Sequence, residues 1–246
     1  MEKFERDNII LYNCDCFELL KECEFDFDLV VTDPPYKFSQ SNTKQGSNKM
    51  TKRVLENYKR LTKNENIIAG YDMRSLAEKI SEKMKDINAY FFCNRLQIND
   101  YFKLYIDELN CMFDILIWKK TNAPAFFHNK YLDDKEYILY FRKGKNKLSP
   151  QTYDMASTVY TSPMEVKVKE KYYHPTIKPL GLIMKLIENT SEVGDTVFDP
   201  FSGSGTTAIA CHLGGRKFIG CEINKEYFET AIKRINDEMN QIKLLQ

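Results

Sequence analysis

Short runs of apolar residues alternate with longer amphipathic stretches along most of the chain. Mostly apolar runs such as 29–32 and 196–199 are typical of buried strands, whereas residues 72–84 carry Leu76 and Ile80 at helical spacing. This alternation predicts an α/β fold, a doubly wound and mostly parallel sheet built from βα units. The predicted strands are 9–13, 29–32, 67–69, 89–93, 115–119, 137–142, 196–199 and 217–221, and the predicted helices are 72–84, 179–189, 206–213 and 225–242.

Length and composition narrow the class of protein further. The 246 residues are 43% hydrophobic, which excludes a disordered chain and is enough for a single domain over 1–246 with a buried core. No window is apolar enough to predict a membrane span, and the charged first residues do not resemble a signal peptide. The seven cysteines form no Cys-x-x-Cys pair and there are three histidines, so we predict neither a disulfide framework nor a metal site. We therefore expect a reducing cytoplasm.

The chain has almost no net charge, because 36 Lys and Arg residues are balanced by 35 Asp and Glu residues. Any excess of positive charge is therefore confined to particular segments. Residues 37–63 contain eight Lys or Arg residues and a single acid, Glu56. A second polar stretch, 144–173, is predicted to be irregular and carries five lysines together with Tyr153 and Tyr160. A charge run is usually a solvated surface, but both stretches lie next to the motifs described below, which favours an anion-facing surface.

The first of these motifs is Asp33-Pro34-Pro35-Tyr36, directly after the predicted strand 29–32. The prolines lack an N–H and fix the backbone, so the Pro34 carbonyl is left as an acceptor beside the Asp33 carboxylate. Two acceptors and an aromatic ring suit a planar group that bears an NH₂. An ordinary turn in which Asp33 caps and Tyr36 packs would use the same residues, so the motif alone leaves both interpretations open.

A second loop follows the predicted strand 196–199 and has the spacing of a nucleotide-binding turn. Gly203-x-Gly205-x-x-Ala208 opens a predicted helix, and Glu222 ends the next strand 19 residues after Gly203, where an acid that binds ribose hydroxyls is expected. A nicotinamide-dependent dehydrogenase would share this loop. Here, however, the loop lies in the last fifth of the chain, which leaves too few strands for a dinucleotide fold. The two loops line one crevice if the strands that precede them are neighbours in the sheet.

Both loops, in this order, resemble the permuted (beta) group of S-adenosylmethionine-dependent DNA amino-methyltransferases. In that group the Asp-Pro-Pro-Tyr loop comes first and the glycine loop lies near the end. The resemblance covers nearly the whole chain and includes the segments 13–20, 117–124, 136–144 and 174–179. It implies a Rossmann-like methyltransferase fold, in which 37–63 is a basic segment near the active site. It also implies that 144–173 is a target-recognition region, shorter than is usual in the family.

The resemblance also implies roles for individual residues. Asp33 and the Pro34 carbonyl would accept the hydrogens of the target amine, Pro35 belongs to the same rigid turn, and Tyr36 would stack on the base. The residues implied to hold S-adenosylmethionine are Asp15 at the adenine, Glu222 at the ribose, Thr176 and Lys178 near the methionine carboxylate, and Asp199, Phe201, Gly203 and Gly205 along the pocket. The predicted DNA contacts are Lys44, Lys49, Lys52 and Arg53, for phosphates, and Tyr153 and Tyr160, for base edges.

The activity implied by the resemblance is methyl transfer to the N6 amine of adenine in DNA, after the base is flipped out of the duplex. In this family Asp before Pro-Pro-Tyr is mostly linked to adenine, and Ser there mostly to cytosine N4. Methylation of cytosine N4, of RNA or of a protein amide would use the same loops, and an oxidoreductase or an inactive DNA-binding module are further alternatives. DNA is the expected partner. A homodimer, a cognate restriction enzyme and the recognised sequence are left open.

Overall fold

The computed structural model describes residues 1–22, 24–36, 71–124, 131–145, 148–174 and 176–245, and its described strands form one nine-stranded sheet. The strands are β1 Glu2–Arg6, β2 Ile9–Asn13, β3 Leu29–Thr32, β4 Asn88–Cys93, β5 Met112–Lys120, β6 Lys135–Arg142, β7 Val159–Ser162, β8 Thr196–Asp199 and β9 Lys217–Cys221. The helices are α1 Cys16–Glu22, α2 Met73–Lys83, α3 Ile98–Phe102 with a π-helical continuation over Lys103–Glu108, α4 Tyr153–Ala156, α5 Val166–Tyr172, α6 Leu180–Thr190, α7 Thr206–Leu213 and α8 Lys225–Leu245.

The strand order is β1-β2-β9-β8-β3-β4-β6-β5-β7. Neighbouring strands run parallel from β2 to β4 and between β5 and β7, whereas β1–β2, β4–β6 and β5–β6 are antiparallel. Among the described strands the sheet is therefore mostly parallel, and the predicted doubly wound α/β architecture is confirmed.

Strands β3 and β8 are neighbours at the centre of this sheet. Leu29 lies opposite Val197, and Val30 lies opposite Phe198. The chain continues from β8 to β9 on one side, while the strand beyond β3 is β4 on the other side. The strand order thus reverses between β3 and β8, which is where ligands bind in sheets of this kind. The two loops identified in the sequence both begin at this point.

Both faces of the central strands are covered by helices. In β3, Leu29 and Val31 pack with α6, α7 and α8, whereas Val30 packs with α1 and α2 on the opposite face. This alternation follows from the two-residue period of a strand, and it explains why β3 is a continuous apolar run. Two buried apolar layers result, and they fix the direction in which the strand ends point.

The sequence missed the two outermost strands, β1 and β7. Strand β7 and the helices α4 and α5 lie in 144–173, so the prediction of an irregular stretch there is wrong. Both edge strands are only partly buried, so neither has the apolar run that marks a central strand. The predicted strand 67–69 and the basic segment 37–63 lie outside the described residues. Among the described helices, none combines the length and apolar character that a membrane crossing requires.

Candidate active site

A cavity of about 490 Å³ opens where the β3 and β8 loops meet. Its size is in the ordinary range of small-molecule pockets. The predicted residues that line it are Asp15, Asp33, Pro34, Pro35, Tyr36, Thr176, Lys178, Asp199, Phe201, Gly203 and Glu222. Residues far apart in the sequence therefore converge on one site, as the sequence predicted.

The loop after β3 presents an incompletely satisfied carboxylate to this cavity. Oδ2 of Asp33 accepts a hydrogen bond from Nζ of Lys178 at 2.5 Å, whereas Oδ1 is buried and has no donor among the described residues. Burial raises the pKa of Asp33, and the neighbouring Lys178 ammonium opposes this effect. The Pro35 carbonyl accepts a hydrogen bond from Nε2 of Gln97 at 3.2 Å, which anchors the turn. The loop is thus rigidly held while one acceptor remains unused.

Lys178 joins two carboxylates. Besides Asp33, its Nζ lies 3.0 Å from Oε2 of Glu136, a residue of β6. The other oxygen of Glu136 lies 2.7 Å from Nζ of Lys120, and the Tyr36 hydroxyl donates to Oε2 at 3.4 Å. Burial opposes ionisation of Glu136, but the two lysines outweigh it and lower its pKa to about 2. The ammonium of Lys178, predicted from the family to lie near the cofactor carboxylate, is therefore engaged at the Asp33 loop.

Asp199 connects the two loops. Its carboxylate accepts hydrogen bonds from Thr32 and Thr207 hydroxyls, both at 2.7 Å, and from the Phe201 N–H at 3.1 Å. Because the residue is fully buried, its pKa is raised to about 6 despite these donors. Asp199 thus holds the end of β3, the end of β8 and the start of α7 in one arrangement.

The glycine turn approaches the cavity through its backbone. Gly203 and Gly205 have φ values of +51° and +75°, which non-glycine residues rarely adopt. A Cβ at Gly203 would lie 3.2 Å from Nε2 of His174, so a side chain would crowd the wall. The Gly203 N–H donates to Oε2 of Glu222 at 3.0 Å, and burial raises the pKa of Glu222 to about 7. Gly205 supports the turn from behind, against Ile235.

Three further residues support this half of the cavity, and the sequence did not identify them as functional. Nη1 of Arg234, from α8, donates to the Ser204 carbonyl at 3.1 Å and to the Thr206 hydroxyl at 2.7 Å. Ser202 lines the cavity, and its buried hydroxyl has no hydrogen-bond partner among the described residues. Burial and nearby cations lower the pKa of His174 to about 3, so this ring is neutral at physiological pH. No motif marks Arg234, because its partners are distant along the chain, whereas His174 and Ser202 lie in or beside the segments 174–179 and 203–208 without being singled out.

The predicted cofactor residue at the far wall is Asp15. Its Oδ1 accepts hydrogen bonds from the Phe17 N–H at 2.8 Å and the Glu18 N–H at 3.4 Å, so it caps helix α1. Within the described part of the chain, no group of three or more His, Cys, Asp or Glu side chains is arranged to hold a metal ion.

The two tyrosines predicted to contact base edges differ in their surroundings. Tyr153 is 89% exposed at the start of α4. Tyr160 is half-buried in β7 and packs on the core, with its hydroxyl close to Gly181. Packing therefore accounts for the position of Tyr160, whereas Tyr153 is free to meet a ligand. The predicted phosphate contacts Lys44, Lys49, Lys52 and Arg53 lie outside the described residues.

Comparison with known proteins agrees with this architecture. The chain is 26% identical over 250 residues to the type II methyltransferase M2.MboI of Moraxella bovis, covering 95% of this chain and 90% of that protein. It is 39% identical over 119 residues to the DNA adenine methyltransferase YhdJ of Escherichia coli K12, covering 47% of this chain and 39% of that protein. By name, the first protein is a type II methyltransferase and the second is a DNA adenine methyltransferase.

Solved structures show the same fold. The crystal structure of the M1.HpyAVI complex with SAM superposes with a TM-score of 0.67 at 29% identity, covering 93% of this chain and 99% of that one. The cytosine-N4-specific PvuII DNA methyltransferase superposes with a TM-score of 0.62 at 19% identity, covering 96% and 93% of the two chains. The family model described as DNA methylase, of the N6 and N4 methyltransferases, matches residues 27–233. The chain therefore belongs to the N6/N4 DNA methylase family.

Proposed function

We propose that this protein transfers a methyl group from S-adenosylmethionine to the exocyclic N6 amine of adenine in DNA. Membership of the DNA methylase family supports the reaction class and the DNA partner. The observation that carries the finer assignment is Asp33, which lines the cavity beside the rigid Pro34-Pro35 turn and whose buried Oδ1 has no hydrogen-bond partner among the described residues. It is an acceptor placed where an amine hydrogen would bind.

The cofactor half of the cavity fits S-adenosylmethionine. When bound, this cofactor supplies an electrophilic methyl group on a positively charged sulfur. Glu222 uses one lone pair on each oxygen for the N–H groups of Gly203 and Asn224, which leaves further acceptor sites for ribose hydroxyls. Ser202 belongs to the same wall, and its buried hydroxyl has no partner among the described residues. An acidic lining is suited to a cationic ligand.

The residues of the Asp33 loop would prepare the amine. The lone pair of an adenine amine is delocalised into the ring, which makes the nitrogen a poor nucleophile. A hydrogen bond from the amine to Oδ1 of Asp33, with a second to the Pro34 carbonyl, would favour tetrahedral geometry at the nitrogen. The ionised carboxylate would also stabilise the positive charge that develops there. Most of the remaining acceleration is positioning of the two reactants.

An amine inside a duplex cannot reach this cavity. The target base must leave the helix, at a cost of roughly a few kcal/mol. The Tyr36 ring lines the cavity next to Asp33, and its hydroxyl is fixed by Glu136, so its face is held ready for a stacked base. We propose that Tyr36 binds the flipped adenine in this way.

Adenine is favoured over cytosine by the residue at position 33. The resemblance to the amino-methyltransferases links Asp before Pro-Pro-Tyr mostly to adenine and Ser there mostly to cytosine N4, and this chain carries Asp33. The relative YhdJ is named as a DNA adenine methyltransferase, whereas the cytosine-specific PvuII enzyme resembles this chain at the level of the fold.

The type II names of several relatives further lead us to propose a cognate restriction enzyme as a partner in the reducing cytoplasm.

The test is the identity of the methylated nucleoside. Purified protein and S-adenosylmethionine carrying a labelled methyl group are incubated separately with unmethylated DNA, RNA and protein. The products are digested and analysed by mass spectrometry. We expect the label in N6-methyldeoxyadenosine and its absence in an Asp33→Ala control. Label in N4-methyldeoxycytidine would overturn the choice of base. Label in RNA or protein without label in DNA would overturn the substrate class.

A further inference from the structure

The ion pairs around Lys178 form a compact group of two cations and two anions. Lys178 is buried, and its Nζ lies 2.5 Å from Asp33 and 3.0 Å from Glu136. Glu136 also binds Lys120 at 2.7 Å. Each of the four groups thus has at least one opposite charge at contact distance. Buried charges persist only when they are paired in this manner.

Glu136 differs from Asp33 and Lys178 in its position relative to the cavity. Residues Asp33 and Lys178 line the cavity, whereas Glu136 is absent from its lining and reaches the site through the Lys178 ammonium and the Tyr36 hydroxyl. It stands second in β6, a strand that is otherwise mostly apolar. Burial of a carboxylate at this position is costly unless it serves its partners.

The role follows from the charge that the reaction creates. When the amine nitrogen attacks, positive charge develops next to Oδ1 of Asp33. A Lys178 ammonium bound to Asp33 alone would cancel the charge of that carboxylate and repel the developing cation. A second carboxylate on the far side of Lys178 shares this ammonium, so Lys178 cancels less of the charge on Asp33, while Lys120 balances Glu136 in turn. The electrostatic benefit is large in a buried site, where charges interact strongly.

We propose that Glu136 is a positioning residue that neutralises Lys178, so that Asp33 can present a negatively charged oxygen to the target amine. This inference rests on the proposed methyl transfer to adenine. It gives Glu136 of β6, the antiparallel neighbour of β4, a role in catalysis that acts through Lys178 and Tyr36.

The pH dependence of turnover separates this role from simple structural support. Within the described part of the chain, the titratable groups that interact with Asp33 and Glu136 are Lys178, Lys120 of β5, Lys169 of α5, Tyr36, Cys93 of β4 and Asp199 of β8. The negative charge of Glu136 raises the pKa of Asp33, while Lys178 lowers it. When the charge of Glu136 is removed, Lys178 pairs with Asp33 alone. The pKa of Asp33 then falls, so Asp33 ionises at lower pH.

The experiment compares Glu136→Gln with wild type and with Asp114→Asn. Asp114 forms an ion pair with Arg142 across β5 and β6, outside the cavity, and serves as the matched control. In Glu136→Gln we expect the maximal rate to fall about tenfold or more, with the KM for S-adenosylmethionine nearly unchanged. The acid limb of the rate profile should move to lower pH by about one unit. Glu136→Asp should recover part of the rate, and Asp114→Asn should behave as wild type.

A second readout does not depend on turnover. The Asp33 carboxyl is followed by NMR in protein labelled with ¹³C at aspartate carboxyls, with Asp33→Asn used for assignment. Its titration should move to lower pH in Glu136→Gln. An unchanged titration together with an unchanged rate profile would overturn the role of Glu136 while leaving the proposed function intact. A wild-type protein that methylates no DNA would instead overturn the function, and the NMR titration would still decide whether Glu136 tunes Asp33.

Discussion

The two halves of the cavity are stabilised by different interactions. The cofactor half, around Asp199 and Glu222, uses hydrogen bonds from hydroxyls and backbone N–H groups. The target half, around Asp33, uses ion pairs to Lys178 and Glu136 and retains a buried acceptor without a described donor. Each half keeps a buried oxygen without a described partner, the Ser202 hydroxyl on the cofactor side and Oδ1 of Asp33 on the target side, so the two halves differ in whether hydrogen bonds or ion pairs hold them.

This difference determines how each half should respond to substitution. Hydrogen bonds on the cofactor side end on the carboxyl groups of Asp199 and Glu222, and each contributes about 1.5–3 kcal/mol when the carboxyl is ionised. Charged groups on the target side depend on each other, because removing one partner leaves the other buried and unpaired. Substitutions on the target side should therefore affect the rate of transfer, and those on the cofactor side should affect affinity.

The largest effect is expected for Asp33→Ala. The variant removes the acceptor for the amine and the charge that stabilises the transition state, so the single-turnover rate of methyl transfer should fall by about a thousandfold. Lys178 retains its ion pair with Glu136, so the protein should remain folded. Circular dichroism checks the fold. A rate within tenfold of wild type would show that Asp33 does not serve the target amine.

Arg234→Met should weaken the cofactor half from behind. The substitution removes the hydrogen bonds from Nη1 to the Ser204 carbonyl and to the Ser204 and Thr206 hydroxyls, which fix the glycine turn. We expect a loss of about 1–3 kcal/mol in the free energy of unfolding and weaker binding of S-adenosylmethionine. The exposed neighbour Lys233→Met is the control for denaturant unfolding and calorimetry. Equal behaviour of the two variants would exclude a role for Arg234 in the turn.

A smaller effect is expected for the pH dependence of cofactor binding. Burial raises the pKa of Glu222 to about 7, so the free protein holds this carboxyl largely protonated below that pH. Ribose hydroxyls donate to the ionised form, and cofactor binding therefore lowers the pKa. Affinity should increase with pH up to about 7, by at most about tenfold per pH unit, and then level off. Calorimetry between pH 5.5 and 8 measures it. Glu222→Gln should flatten the profile, and a wild-type affinity independent of pH would contradict this role.

The smallest effect is expected for Tyr153→Ala. The ring is exposed and makes no contribution to the core, so the free energy of unfolding and cofactor affinity should not change. If Tyr153 reads base edges, the variant should alter which DNA sites are methylated, with each lost base contact costing about 1–3 kcal/mol of discrimination. Long-read sequencing of DNA methylated by each protein records the sites. An identical set of sites would exclude Tyr153 from recognition.

The sequence predicted the central part of the fold well because its strands are mostly apolar runs, and β3 and β8 are almost wholly buried. The predicted bounds 9–13, 29–32, 196–199 and 217–221 coincide with β2, β3, β8 and β9. Strands β1 and β7 were missed because edge strands are half exposed and lack a continuous apolar run. The strand pattern therefore predicts the sheet centre, whereas its edges depend on contacts between distant segments.

The candidate site likewise contains residues that sequence motifs predict and residues that only the structure identifies. Asp33, Gly203 and Glu222 lie in motifs whose spacing is readable along the chain, and the structure brings them to one cavity. The contacts of Glu136 and Arg234 lie in other elements, at Lys178 and at the turn at Ser204, and although Glu136 begins the segment 136–144 of the resemblance, nothing in that segment assigns it a role. A charged residue near the start of an otherwise apolar strand was the one available signal for Glu136.

The most direct test of the division into two halves is the dissociation constant of S-adenosylmethionine, measured by calorimetry for wild type, Asp33→Ala and Glu222→Ala. Glu222 offers acceptors to the cofactor, and hydrogen bonds to a charged group contribute about 1.5–3 kcal/mol. We predict that Glu222→Ala weakens binding by about ten- to a hundredfold, while Asp33→Ala leaves the dissociation constant within about twofold of wild type. A comparable loss of cofactor affinity in both variants would contradict the account.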